Sequence, residues 1–549
     1  MDRPFRNLVI RKVHNDSRRR VAPSYGFDLV PVVRQAWRAW LLEVGQHTAA
    51  LAVLTAGLVS HQVLAVVMVL CACATYVLLI IGVRNLAAFL RVRAANEATR
   101  WSDRQNQLPR EDQEKRKRRF KASSAGCAML VLAPFFVARK LDTTPHAAMP
   151  AAVVLASALL LCGVLAGVIR QLQLNANHHA RSLRPPNLTR REEAIDEQQN
   201  HTCVAYLRPP HRKDADLIDL MLDQKGSSSP FVGSGTLVNR WLPPTTVQLI
   251  RPDPLSNGAL AQREHLTPPF RAHELVDCLR SALRQLTHDT GTENLPGLRV
   301  RDRLYVPESD ISADRTLLGG DAETMINEVI DDPRYPAHHF LETSVPIAGG
   351  ELVMTVLIRV SLKGRCLSLD VATCALTRTP QRFQVIDRYA EHGFGAVVRA
   401  AVRDLFRQPG NVLRMWRLVE APVVAGRAWW AIKDRTHRPR RRIPVCARVA
   451  VRESVADDWL NAQLDETTIY DHMKIIEQRI LRIVVDFLRA HDVDTSDFER
   501  QAMNIISSGV LNMGHHNNNI VANNEIKSTT NVTTGSQPKP RTATKEPST

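Results

Sequence analysis

The sequence predicts an α+β protein with four transmembrane helices in two hairpins, a mixed α/β cytoplasmic domain and a disordered tail. Three observations predict this class. Two pairs of apolar stretches occupy the first 170 residues, and a dense run of arginine and lysine separates them. Later, residues 351–376 alternate apolar and polar side chains across a glycine-containing turn, which is typical of a β-hairpin.

The first predicted transmembrane hairpin is residues 41–83. From residue 49 to 83 nearly every side chain is apolar or small, and this run exceeds the roughly 20 residues of one span. The polar residues 60–62 divide it into spans 41–59 and 63–83. Glu43, His47 and His61 are ionisable candidates for ion or solute passage. We expect them near helix ends, where water is accessible.

The second predicted hairpin is residues 123–170. Residues 123–137 form a short span interrupted by Pro134, whereas residues 151–169 are apolar throughout. A packed soluble bundle is the alternative, but these runs lack the polar stripe of a surface helix.

Basic residues set the orientation. The predicted loop 84–122 contains twelve Lys/Arg and the N-terminal segment 1–40 contains nine. Because positive residues stay inside, both termini are expected to be cytoplasmic at the inner (plasma) membrane. Anionic inner-leaflet lipids are then the expected partner of the most basic stretches. The candidate lipid contacts are Lys115, Arg116, Lys117, Arg118, Arg119, Arg440, Arg441 and Arg442.

The net charge of +17 invites a nucleic-acid interpretation, but its distribution opposes one. Residues 1–181 carry 25 Lys/Arg against 10 Asp/Glu, whereas residues 182–549 carry 47 against 45. The excess therefore belongs to membrane topology, and no nucleic-acid partner is predicted. The nine cysteines form no CxxC pair, so neither a zinc ribbon nor a redox motif is supported.

After a linker at 171–201, a mixed α/β domain is predicted at 202–465. Its predicted strands are 230–238, 246–251 and 298–306, its predicted helices are 271–288, 395–407 and 412–419, and its hairpin is expected in mid-sheet. A helical hairpin at 466–510 follows, with Ser496 and Glu499 as a capping box. The apolar stripe of its first helix favours packing, with self-association through 469–507 as the alternative. The Asn-rich tail 511–549 is expected to be largely disordered.

No catalytic constellation is evident. Gly233–Ser234–Gly235 lacks the rest of a phosphate-binding motif and is interpreted as a tight turn. The histidine pairs at 178–179, 338–339 and 515–516 do not have metal-ligand spacing. The acidic group Asp321, Glu323, Glu328, Asp331 and Asp332 suits a solvated helix. No cofactor or metal is predicted.

Three phrases resemble a group of uncharacterised actinobacterial multi-pass membrane proteins with a large cytoplasmic C-terminal domain. They are PFVGSG at 230–235, GGELVMTVLIRVSLKGRCLSLDV at 349–371, and the Asn-rich ending after SSGVLN at 507–512. This resemblance implies no activity, cofactor or catalytic residue.

We therefore expect a membrane-anchored binding, sensing or scaffolding protein with a cytoplasmic protein partner. The alternative is a membrane-associated effector or enzyme, for example in bacterial signalling or conflict systems. In that case Asp321, Asp370 or Glu351 would converge in one concave site.

Overall fold

The architecture follows from a computed structural model of the chain. It describes residues 3–99, 110–140, 144–180, 182–206, 231–252, 263–288, 293–311, 325–380, 383, 393–432, 446–447, 449–462 and 464–508. Long apolar helices come first and a mixed sheet with flanking helices follows, which confirms the predicted α+β class.

The N-terminal half is helical. Its α-helices are α1 (Arg3–Leu8), α2 (Leu29–Val59), α3 (Val63–Thr99), α4 (Arg110–Lys140), α5 (Pro145–His179) and α6 (Arg190–Asn200), and a π-helical turn, Val9–His14, follows α1. Helices α2 to α5 each contain a stretch long and apolar enough to cross a membrane.

Each of these four helices extends beyond the span predicted from hydropathy. Helix α2 begins at Leu29 rather than at residue 41, because the Asp28 carboxylate accepts a hydrogen bond from the Val30 amide at 3.0 Å and caps the helix. Helices α3 and α4 continue into the predicted basic loop and contact one another. Helix α4 continues through Pro134.

The predicted linker, residues 171–201, contains the end of α5 and the whole of α6. Helix α6 forms there because Thr189 and Glu192 make a reciprocal capping box at its first turn. Its Ile195 is fully buried beside Val9, Val30 and Val451, so this segment packs against the N-terminal residues and against a much later part of the chain.

Among the described residues, the C-terminal half contains one seven-stranded sheet in the order β1-β4-β5-β6-β7-β2, with β3 also paired to β7. Only the β1–β4 pair is parallel among these strands. The strands are β1 (Cys203–Tyr206), β2 (Thr236–Arg240), β3 (Thr245–Gln248), β4 (Arg299–Pro307), β5 (His338–Ile347), β6 (Leu352–Lys363) and β7 (Cys366–Leu376). The predicted hairpin is thus confirmed as β6–β7, with β6 inside the sheet.

Helices cover one face of the sheet. The remaining helices are α7 (Ala272–Gln285), α8 (Glu308–Ile311), α9 (Ile326–Asp331), α10 (Phe394–Val412), α11 (Ala421–Ala431), α12 (Leu464–Ala490) and α13 (Ser496–Ser508). Met354, Val356 and Ile358 of β6 pack with α7, α12 and α13 in the largest apolar core. Alternate residues Val353 and Leu357 point to the opposite face, as the period-two pattern predicts.

The predicted helices at 271–288 and 395–407 are confirmed as α7 and α10. The predicted helix at 412–419 is wrong in type, since Met415–Glu420 is a 3₁₀ turn that leads into α11. The predicted Ser496–Glu499 capping box is also wrong. Asp494 accepts from the Ser496 amide at 3.0 Å, and Glu499 accepts from the Thr495 hydroxyl at 2.6 Å.

The apolar stripe of α12 is buried against the sheet, with Met473, Ile476, Ile480 and Val484 fully inaccessible. The packing interpretation of this stripe is therefore confirmed. Self-association through 469–507 stays a prediction, and it would have to use the outward face of the two helices, where Met503 is exposed.

A buried ion pair on the second face of the sheet is also bonded to the N-terminal segment. Arg303 Nε donates to Glu342 at 2.9 Å, and both side chains are 2% exposed. The Tyr25 hydroxyl donates to the same carboxylate at 2.8 Å. Burial raises the pKa of Tyr25, and the negative charge of Glu342 raises it further. Tyr25 therefore remains a neutral donor and closes this cluster from the N-terminal side.

We expect Glu342→Ala to lower the free energy of unfolding by about 3–5 kcal/mol, because it leaves the Arg303 charge buried without a partner. The measurement is thermal unfolding of the detergent-purified protein. Arg489→Ala, in the exposed Arg489–Glu499 pair, is the control and should cost less than about 1 kcal/mol. Equal losses in the two variants would contradict the role of the buried pair.

A second polar cluster makes the stability of the fold depend on pH in the acid range. Asp302 of β4 accepts from His339 at 2.8 Å and from Arg280 at 2.9 Å. Burial alone would raise the pKa of Asp302, but these hydrogen bonds outweigh it and lower the pKa from 3.8 to about 2. A carboxyl with a depressed pKa stabilises the fold above its ordinary pKa, and this stabilisation is lost as the pH falls through the folded-state value.

We therefore expect thermal stability to fall between about pH 4 and pH 2, with Asp302 contributing on the order of 1 kcal/mol after allowance for its partial exposure. In Asp302→Asn this contribution to the pH dependence should disappear. Melting curves of the two proteins from pH 6 to pH 2 test this. An unchanged acid limb in the variant would show that Asp302 is not the responsible group.

Candidate functional site

Helix α10 packs antiparallel to α5 and also contacts α2 and α3. Its Gln408 lies opposite Gly163, where an added Cβ would be 2.9 Å from the Gln408 Cβ. One turn away, an added Cβ at Gly167 would be 2.9 Å from the Ala400 carbonyl oxygen. Two glycines on one helix face therefore permit backbones to approach closely, as small residues do between membrane helices.

Polar side chains bridge the same interface. Gln46 of α2 donates to Gln408 at 2.6 Å, and Arg170 of α5 donates to Gln46 at 2.6 Å and to Asp404 at 2.8 Å. Gln46, Asp404 and Gln408 are all buried. Three helices are thus joined by one hydrogen-bonded chain, and the end of α10 lies deeper still, because Val412 belongs to the apolar cluster formed by α2, α3 and α5.

The opposite face of α10 is apolar and uncovered. Phe394, Val398, Val402 and Phe406 repeat every fourth residue and are 82%, 42%, 46% and 61% exposed. This spacing places them in one stripe along the helix. In the following segment, Trp416, Trp429 and Trp430 are also exposed. Exposed apolar and aromatic side chains therefore recur along residues 394–432.

A cavity of about 440 Å³ lies between α1 and its π-helical extension, α2 and the 415–424 segment. We call it the basic cleft. Four arginines and two glutamates line it: Arg3, Arg6, Arg11, Arg417, Glu43 and Glu420. Glu43 pairs with Arg3 at 2.9 Å and with Arg6, and Glu420 pairs with Arg11 at 2.5 Å. The cleft thus retains positive charge after its carboxylates are paired.

Two further residues characterise the basic cleft. His47 is 3% exposed and lines it, and neither ring nitrogen has a hydrogen-bond partner in the part of the chain that the structure describes. Arg417 is exposed, lies 5.8 Å from the Trp416 ring centroid and has no carboxylate partner among the described residues. Burial lowers the pKa of Arg3, and the neighbouring charges of Arg414, Arg417 and Arg6 add to this effect although Glu43 opposes it.

The candidate lipid contacts fall in two places. Arg118 and Arg119 are exposed on α4, and Lys115, Arg116 and Lys117 belong to the same helix. Arg440, Arg441 and Arg442 lie outside the described residues. Contact of either group with lipid stays a prediction.

The glycine-rich turn and His339, which were also considered from the sequence, make contacts within the fold. Ser234 donates its hydroxyl to the Phe231 carbonyl at 2.9 Å within a turn, which confirms the interpretation of the glycine pair. Gly235 has φ +92° and an added Cβ would be 2.2 Å from the Ala375 carbonyl oxygen. His339 binds Asp302. Among the described residues, no group of three or more His, Cys, Asp or Glu has the arrangement of a metal site.

Two of the acidic candidates, Asp370 and Glu351, do not share a site. Asp370 forms two hydrogen bonds with Arg240, at 3.2 and 2.7 Å, and lies opposite Arg359 in the hairpin. Glu351 precedes β6 and is near Arg378. About eight residues of strand, roughly 25 Å, separate their positions. Asp321 and Glu323 lie outside the described residues.

Sequence reasoning missed the basic cleft. Glu43 and His47 were expected at a helix end with access to water. They instead lie inside α2 and are buried under α1. They are not near a helix end because α2 begins twelve residues earlier than its hydropathy indicates. The available signal was Glu43 and His47 one turn apart in an apolar helix, which requires a cationic partner from elsewhere in the chain. His61 is exposed in the α2–α3 turn, as expected.

The fold and these interfaces define a protein with four candidate membrane spans joined directly to an α+β domain. The family described as AbeC-like domain matches residues 244–520, just over half of the chain. The chain therefore belongs to the AbeC-like domain family. No curated protein and no solved structure matches it. The matched region includes α10, so the helix that docks on α5 is part of the family domain.

We expect Gly167→Val to separate α10 from α5, because the new side chain would meet backbone atoms of Ala400 and Ala401 that cannot move aside. Overpacking of this kind typically costs about 1–3 kcal/mol, so amide hydrogen exchange across 394–412 should rise about tenfold. Gly45→Val is the matched control, since nothing lies within 4 Å of a Cβ at Gly45. Unchanged protection of α10 in Gly167→Val would contradict the docking.

Proposed function

We propose that this protein is a membrane-anchored binding or scaffolding protein of the bacterial inner membrane, with its AbeC-like domain held directly against the spans. The observation that carries the proposal is the docking of α10 on α5 through Gly163, Gly167 and the Arg170–Asp404 pair. A domain held in this way keeps a fixed height and orientation above the membrane. A partner bound to it would share that orientation.

The distribution of charge supports cytoplasmic termini. The basic ends of α3 and α4, the start of α2 and the end of α5 lie on one side of the helical bundle, because consecutive helices alternate in direction. Positive residues favour the cytoplasmic side. The AbeC-like domain follows the end of α5 and is therefore proposed to be cytoplasmic as well.

The exposed stripe of α10 supports a second part of the proposal, that residues 394–432 lie in the cytoplasmic leaflet. Phe394 and Phe406 provide apolar area along this stripe, and Trp429 and Trp430 are suited to the boundary between lipid and water. Val412, at the end of the same helix, is buried in the apolar cluster of α2, α3 and α5. Anionic lipids beside this segment and beside Lys115–Arg119 are the proposed surroundings.

The alternative function is a membrane-associated effector in a bacterial signalling or conflict system. The family match is compatible with this alternative. The separation of Asp370 from Glu351 argues against an active site built on those two carboxylates. An effector would therefore use other residues, or would act by binding.

The experiment is a crosslinking pull-down of the full-length protein from its native membrane, compared with the Gly167→Val variant. The proposal expects a stoichiometric cytoplasmic protein partner that is retained by the wild type and by Gly45→Val, and reduced several-fold by Gly167→Val. Recovery without any protein partner would overturn the scaffold proposal and favour the effector.

A further inference from the structure

The basic cleft combines several features of a ligand site. Its volume of about 440 Å³ is within the range of small-molecule sites. Arginines from three segments, Arg3 and Arg6, Arg11, and Arg417, line it although they are up to 414 residues apart in sequence. Like charges repel, so four arginines around one cavity cost stability unless anions compensate them.

The carboxylates of the cleft do not supply this anion completely. Glu43 is held by Arg3 and Arg6, and Glu420 is held by Arg11. Arg417 remains without a carboxylate among the described residues, and its guanidinium is oriented by the Trp416 ring. An arginine fork in this state is suited to two oxygens of a phosphate.

His47 supplies an independent observation that points to a ligand. A histidine that is 3% exposed normally satisfies at least one ring nitrogen, yet neither nitrogen of His47 has a partner within hydrogen-bond distance among the described residues. Its Nε2 is 3.7 Å from the Glu43 carboxylate, which exceeds hydrogen-bond distance. A ring N–H at the wall of a cationic cavity is available as a donor to an anionic oxygen.

The surroundings of the cleft indicate how a ligand would enter. Trp40 and Trp416 line it, and Trp416 is 64% exposed. Val419, three residues after Trp416, is 78% exposed. Tryptophan beside exposed apolar side chains is characteristic of the membrane–water boundary. A headgroup could thus occupy the cavity while its acyl chains remained along the apolar rim.

We propose that the basic cleft binds a phosphate-bearing anion of the class displayed by anionic phospholipid headgroups, with Arg417 and His47 as its principal donors. None of the described residues that line the cleft belongs to α4. The proposed anion site also does not depend on the scaffold role. The same donors would bind a soluble phosphate if the apolar helices served another purpose.

The test uses the full-length protein in a neutral detergent and three probes: short-chain phosphatidylglycerol, short-chain phosphatidylcholine and inorganic phosphate. We expect phosphatidylglycerol to bind more tightly than net-neutral phosphatidylcholine. Arg417→Gln should weaken its binding about tenfold, since one charge-assisted contact is lost, and His47→Leu should weaken it several-fold. Arg417 is exposed, so its replacement should leave the melting temperature unchanged.

Arg119→Gln is the matched control, because it removes the same charge from an exposed position on α4. Phosphatidylglycerol binding that inorganic phosphate does not displace identifies a lipid as the source of the anion, whereas equal binding and competition identify a soluble phosphate. Equal weakening by Arg417→Gln and Arg119→Gln, or no binding of either anion, would overturn the proposal.

Discussion

The close contact between α10 and α5 is the constraint on which the arrangement of the molecule depends. Glycine at positions 163 and 167 lets two helix backbones meet, and the polar chain from Gln46 to Asp404 sets their register. A polar chain buried between helices is costly when any member loses its partner. The spans and the sheet domain therefore belong to one packed unit rather than to an anchor and a tethered domain.

A second set of contacts reinforces this unit from the other end of the chain. The N-terminal segment contributes Val9 and Ile10 to a core shared with α6 and Val451, and Tyr25 completes the Arg303–Glu342 cluster on the sheet. Arg452 also donates to the Tyr25 carbonyl at 3.0 Å. The charged residues near the N-terminus thus serve in tertiary structure. Arg3 and Arg6 illustrate this role, since their ion pairs with Glu43 hold α1 against α2.

The sequence predicted the parts of the fold that depend on short-range periodicity. The β6–β7 hairpin and α7 were predicted because their side-chain patterns repeat every two or about 3.6 residues, and burial on one face maintains those patterns. Helix ends were predicted less well. Asp28 caps α2 within a segment of mixed polarity, and Thr495 rather than Ser496 bonds to Glu499, a difference of one residue that pattern alone does not resolve.

The candidate site was largely inaccessible to sequence reasoning for a different reason. The basic cleft is formed by residues near positions 3–11, 43–47 and 416–424, and a single sequence contains no signal for pairings across such separations. The charge distribution was also misleading for these pairings, because Arg3, Arg6 and Arg11 were interpreted as charges that set the membrane orientation. The sequence did show the ionisable pair Glu43 and His47 inside an apolar segment. It did not show which residues of the folded chain would contact this pair.

The partnership of Tyr25 with Glu342 and Arg452 has a consequence for biosynthesis. Their separations of 317 and 427 residues mean that the N-terminal segment is made long before the strands that cover it. At elongation rates of about 5–20 residues per second, this interval is roughly 15–90 s. During that time the N-terminal segment lacks the partners that bury Tyr25 in the folded protein. The contacts of Tyr25 are therefore completed only after residue 452 has left the ribosome.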